Sequence, residues 1–256
     1  MSRLGSSALV VGMSLLATAC GRKGPLSYPD MLVLAAPTAV TAQQSGSYIK
    51  LQFALPDKNR GGQSIKGVAG VKISRRVMEA DQEVVCRSCM TDYSLFLTLY
   101  LDSLPTNSQR YGDSLIVVDS HVSVGKVYSY SIVPFTADGV EGASSMHKEV
   151  RVSPPHVAPV LKIESLPTEV KLQIAAPLSL SGRLLGYNLY RSSAPWVASY
   201  RSLNNAPLKD TVYVDSALER GVKYRYSVKA LIVQESGSVA ESEASQAVEG
   251  MLKDDE

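Results

Sequence analysis

Beyond residue 37 apolar and polar residues alternate through most of the chain. Val170, Leu172 and Ile174 fall on one side and Lys171 and Gln173 on the other, while Tyr224, Tyr226, Val228 and Ala230 are set against Lys223, Arg225, Ser227 and Lys229. A period of two marks a strand with one face buried and one in water. These short runs recur at roughly ten-residue spacing, separated by Pro, Gly, Asn and Asp, and no convincing amphipathic helix interrupts them. The pattern predicts an all-β sandwich architecture.

The strands also repeat. Gly125-Lys126-Val127-Tyr128-Ser129-Tyr130-Ser131-Ile132 matches Gly221-Val222-Lys223-Tyr224-Arg225-Tyr226-Ser227-Val228 at an offset of 96, and an apolar run ending in Asp119 or Asp215 precedes each copy at the same offset. Ile49–Pro56 matches Val170–Pro177 at 121, and Val71–Arg75 matches Tyr187–Arg191 at 116. The falling offsets place five extra residues of the first copy between its first two matched strands and 20 more before its third. Repeats of this kind are one structural unit used twice. Two tandem sandwiches are expected, over residues 37–153 and 154–250, joined by the stiff Pro154-Pro155-His156-Val157-Ala158-Pro159, with an acidic tail at 251–256.

Over residues 37–250 the chain resembles the fibronectin type III family. Gly125-x-x-Tyr128-x-Tyr130 and Gly221-x-x-Tyr224-x-Tyr226 look like the turn and tyrosine corner entering its sixth strand. The resemblance implies that the Tyr128 and Tyr224 hydroxyls bond back to nearby backbone. The second strand departs from the family, with Phe53 and Ile174 where it usually buries a tryptophan. No Arg-Gly-Asp occurs, so integrin-like adhesion has no support.

Residues 1–19 carry Arg3 and then an apolar stretch from Ala8 to Ala17. That is too short for the about 20 residues a membrane span needs, and it fits a signal peptide. Leu16-Ala17-Thr18-Ala19-Cys20 resembles a bacterial lipobox, which implies acyl chains on Cys20 and firm attachment to a membrane. Gly21 in place of Asp favours the outer membrane by the sorting pattern of such lipoproteins. Residues 20–36 then read as a lipidated cysteine and tether, although Met31–Ala36 (MLVLAA) is apolar enough for a short strand or docked arm.

Composition chiefly excludes. Lys+Arg 26 against Asp+Glu 24 leaves +2 without a block of like charge, so the footprint of a nucleic-acid binder is missing. Three histidines, His121, His147 and His156, are scattered. No Gly-x-Ser-x-Gly, phosphate loop, dinucleotide fingerprint or His-Glu-x-x-His occurs, and neither a cofactor, a metal nor catalysis is expected.

Specific recognition is expected in the long stretch 77–114. Cys86-Arg87-Ser88-Cys89 holds the two thiols left after Cys20, and an oxidising envelope favours a local disulfide. Thiol exchange is the alternative, without the βαβ setting that usually accompanies it. Beyond it Leu95, Leu97, Leu99 and Leu101 alternate with Phe96 and Tyr100. The leucines are expected in the core, leaving Phe96 and Tyr100 either as partner anchors or covered by a loop. Trp196, with Tyr190 and Tyr200, is a second candidate surface, or a clamp for its own loop. The sequence therefore points to a lipid-anchored envelope protein, a non-catalytic binding or assembly module for an envelope protein partner. The alternatives are a carbohydrate-binding or spacer module for an envelope enzyme, and thiol exchange at Cys86 and Cys89.

Overall fold

The computed structural model describes residues 28–65, 67–79, 92–177 and 179–253. Cys20, Cys86 and Cys89 lie outside the described residues, as do the signal peptide, the lipobox and residues 254–256. The described residues are all-β apart from a 3-10 turn at Pro29–Met31.

In the first half β1 (Thr38–Ser45), β2 (Tyr48–Ala54), β6 (Ser114–Asp119) and β5 (Ser108–Tyr111) form one sheet in that order. Facing it is a second sheet of β4 (Ser94–Tyr100), β3 (Val68–Glu79), β7 (Lys126–Thr136) and β8 (Lys148–Arg151). Ile49, Leu51 and Phe53 from β2 meet Val71 and Ile73 from β3, Leu99 from β4 and Tyr130 and Ile132 from β7 in one buried cluster. Full burial of each such side chain contributes about 1.5–3 kcal/mol.

The second half repeats the plan with fewer strands. β9 (Val160–Ser165), β10 (Val170–Ala175) and β12 (Val212–Asp215) make one sheet, opposite β11 (Arg183–Ser193), β13 (Tyr224–Val233), β14 (Val239–Glu241) and β15 (Val248–Gly250). Its core joins Val170, Leu172 and Ile174 to Leu189, Tyr226, Val228 and Ile232. Each half thus has the strand order of a fibronectin type III-like sandwich. Gly125 and Gly221, at φ +84° and +77°, occupy equivalent turns in the left-handed region, which a glycine adopts without strain.

The residue deficit of the second copy falls where β5 stands in the first. The chain there lies only along β11, as β4 lies along β3, through a Tyr187–Leu208 bridge and a Leu203 N–H bond to the Leu189 carbonyl. β12 consequently ends its sheet, whereas its counterpart β6 is flanked by β5.

Three expectations are corrected. The alternation of β4 is broken by a bulge opposite Ile73 and Ser74, which pair with Leu97 and Leu95 and skip Phe96. Leu99 is buried and Leu97 and Leu101 pack on the core, but Leu95 is 61% exposed. A bulge adds one unpaired residue and re-aims its neighbours. Residues 31–36, read as part of a tether, are a docked arm: Ala35 N–H bonds the Lys58 carbonyl, Ala143 N–H bonds the Leu34 carbonyl, and Leu34 is buried. The expected tail is also bound in part, since Leu252 is buried and Lys253 N–H reaches the Leu166 carbonyl.

Candidate functional site

Each sandwich closes around one buried carboxylate. Asp119, at the end of β6, accepts hydrogen bonds from Arg75 Nη1 at 2.7 Å, the Tyr130 hydroxyl at 2.8 Å and His121 N–H at 3.0 Å. Asp215 repeats this with Arg191 Nη1 at 2.8 Å, the Tyr226 hydroxyl at 2.9 Å and Ala217 N–H at 3.2 Å. Burial, reinforced by the adjacent carboxylates, pushes both tyrosines well above the usual phenol range. They remain neutral donors, and the clusters hold the sandwiches shut.

The guanidinium groups also stack. Arg75 lies over Phe96 and Tyr128, 5.0 and 5.6 Å from the ring centroids, and Arg191 lies 5.2 Å from that of Tyr224. The Tyr128 and Tyr224 hydroxyls accept the backbone N–H of Ser123 at 2.8 Å and Glu219 at 3.1 Å, five residues upstream. Tyr128→Phe and Tyr224→Phe are each expected to cost about 1 kcal/mol in urea unfolding, since one hydrogen bond is lost without a cavity.

Of the aromatic candidates, Phe96 meets the Tyr130 ring edge-on at 6.5 Å beneath Arg75, packed on the core instead of facing a partner. Tyr100 is 53% exposed and rests edge-on against Phe135. Trp196 adopts φ +64° in its loop, with the Arg225 guanidinium 4.4 Å from its ring centroid. Tyr190 and Tyr200, grouped with Trp196 by sequence, are instead drawn into the junction between the sandwiches.

That junction is the most elaborate polar site of the described residues. β14 of the second sandwich pairs in parallel with β1 of the first at Ser45 and Glu241, and Gly46 N–H bonds the Glu241 carbonyl at 2.9 Å. One continuous sheet therefore runs β11-β13-β14-β1-β2-β6-β5. At the crease the fully buried Glu241 carboxylate receives Lys50 Nζ at 3.0 Å, Ser45 Oγ at 2.5 Å, the Tyr190 hydroxyl at 2.5 Å and Asn188 Nδ2 at 2.6 Å. Burial alone would raise its pKa, but the Lys50 charge and the three hydrogen bonds outweigh it and hold the carboxyl at about 2. Lys229, also buried, donates to Ser45 Oγ and the Tyr48 hydroxyl, both at 2.8 Å.

Two further contacts extend the junction. Gln44 grips Ser153, just before the proline linker, taking its N–H at 3.0 Å and giving Nε2 to its carbonyl at 2.7 Å. At the opposite end Gln109 of β5 accepts Tyr200 N–H at 2.8 Å and donates to the Ala198 carbonyl, and Arg201 covers the Tyr111 ring. Between these contacts and Lys50, Ile116 and Val118 lie on the same outward face of β6 and are buried.

Lys50, Lys229 and Glu241 read in sequence as ordinary polar-face residues of strands. Only the unusual apolarity of Ile116 and Val118 on that face signalled that something covers it.

No family model matches the chain, and no curated protein matches it. Among solved structures, the FN1–FN3 domains of chicken CNTN1 are similar to it at a TM-score of 0.31 and 12% identity, over 87% of this chain and 66% of that one. This chain thus spans slightly under two thirds of that chain's length. The sandwich assignment stands on the strand order of each half. Among the described residues no group of three or more His, Cys, Asp or Glu side chains is placed to hold a metal ion.

Proposed function

We propose that this chain is a lipid-anchored protein of the bacterial outer membrane whose two sandwiches act together as a non-catalytic binding and assembly module. The observation that carries the reading is the junction. A shared sheet and a buried carboxylate network hold the sandwiches in one orientation, so their outer faces and loops are presented as a single rigid surface. The buried carboxylates Asp119, Asp215 and Glu241 are each saturated by structural partners, which suits scaffolding more than proton transfer. The Leu16–Cys20 lipobox and Gly21 support the anchor and its destination. Recognition of an envelope protein partner through the sheet faces is favoured over the carbohydrate reading, because one face of the Trp196 ring is taken by Arg225.

Metabolic labelling with a palmitate analogue tests the anchor. The protein is expected to carry label and to lose it completely on Cys20→Ala; labelling that survives the substitution removes the anchor from this account.

A further inference from the structure

The internal repeat extends to the face that forms the junction. In the first sandwich that outward face is built from Lys50 and Gln52 of β2 with Ile116 and Val118 of β6, which pair across the strands as Lys50–Val118 and Gln52–Ile116. In the second sandwich Lys171 and Gln173 of β10 stand opposite Val214 and Val212 of β12 in the same register. The chemistry is therefore duplicated, a lysine and a glutamine beside two β-branched residues. The environments differ sharply. Ile116 and Val118 are 2% and 5% exposed, whereas Val212 and Val214 are each 45% exposed.

The acidic position of the complementary surface recurs too. Glu241, which receives Lys50, pairs with Leu231, five residues beyond Tyr226. In the first sandwich Glu141 bridges Phe135, five residues beyond Tyr130. Glu141 is thus the positional equivalent of Glu241, and it is open to solvent on one side of Phe135, with the exposed Tyr100 leaning on that ring from the other side across Gly70. Its ion pair with Lys72 leaves both side chains at least 40% exposed. A pair so hydrated contributes little and exchanges readily.

We infer that the Lys171–Val212–Val214 face of one copy docks on the Glu141–Tyr100 face of a second copy of this chain, repeating between molecules the lysine–glutamate and apolar part of the contact made within each, while the docked arm keeps the edge beside Glu141. Lys171 supplies the charge for Glu141, and the two valines cover the apolar flank around Tyr100 and Phe135. Such a contact is heterologous: it uses two different patches, leaves one of each free at the ends, and grows into an open row. The inference deepens the assembly reading and is independent of the lipid anchor.

Sedimentation equilibrium of the full chain in density-matched detergent, from micromolar to millimolar protein, tests it. The mass is expected to rise with concentration. Lys171→Glu and Glu141→Lys should each weaken association about tenfold, and the double variant should recover most of the loss, which a folding defect would not do. A mass that stays monomeric throughout, association indifferent to both substitutions, or a double variant as weak as the singles overturns it. None of these results bears on labelling at Cys20, so the two proposals fail separately.

Discussion

Glu241→Ala is expected to cost roughly 3–5 kcal/mol, the usual scale for removing one member of a buried ionic cluster. Lys229 and Tyr190 would remain buried and Lys50 mostly covered around the gap, with Lys50 and Tyr190 stripped of the carboxylate they share. The loss should also change the form of unfolding. Trp196 is the only tryptophan and lies in the second sandwich, so its fluorescence reports that half while far-ultraviolet circular dichroism reports both. In urea the two signals should coincide for the native protein and separate for Glu241→Ala, as the halves cease to unfold together. Coincident transitions with an unchanged midpoint would show that the cluster does not couple them. Acid should act in the same way. The folded carboxyl sits at about 2 and the free group at 4.5, so its stabilisation is fully present above pH 4.5 and is lost as the pH falls towards 2.

Asp119→Ala and Asp215→Ala are expected to cost about 3 kcal/mol each, because each leaves a partly buried guanidinium and a buried phenol without their common acceptor. Tyr130→Phe and Tyr226→Phe remove one donor and keep the carboxylate–arginine pair, so about 1 kcal/mol is expected. The ranking matters more than the size. If the phenylalanine variants lost as much as the alanine variants in urea denaturation, the hydroxyls rather than the ion pairs would be closing the sandwiches.

The strands were legible because their chemistry is local. Alternation of Ile49, Leu51 and Phe53 with polar neighbours follows from a pleat with one wet face, and the repeated glycine-to-tyrosine segments announce two copies of one unit. Phe96 was misplaced because a bulge depends on pairing with β3, which no periodicity within β4 contains. The junction was hidden for a related reason. Lys50 and Lys229 occupy positions where a strand in an isolated sandwich faces water, and only the fold of one sandwich against the other buries them. Asp119 and Asp215 show the intermediate case. Their repetition was plain, while their convergence with Arg75 and Arg191 required two strands from different sheets to meet.

The docked arm sets a height. Because Leu34 is buried and residues 31–35 bond to the first sandwich and its loops, the folded body begins almost at Tyr28. Seven residues lie between Cys20 and Tyr28, and a chain of that length reaches no farther than roughly 30 Å from one to the other when fully extended. If Cys20 carries acyl chains as proposed, that reach confines the first sandwich to a thin layer next to the lipid surface. Neighbouring copies anchored in this way would share that layer and the same side of the bilayer, and would meet by lateral diffusion in two dimensions instead of searching a volume.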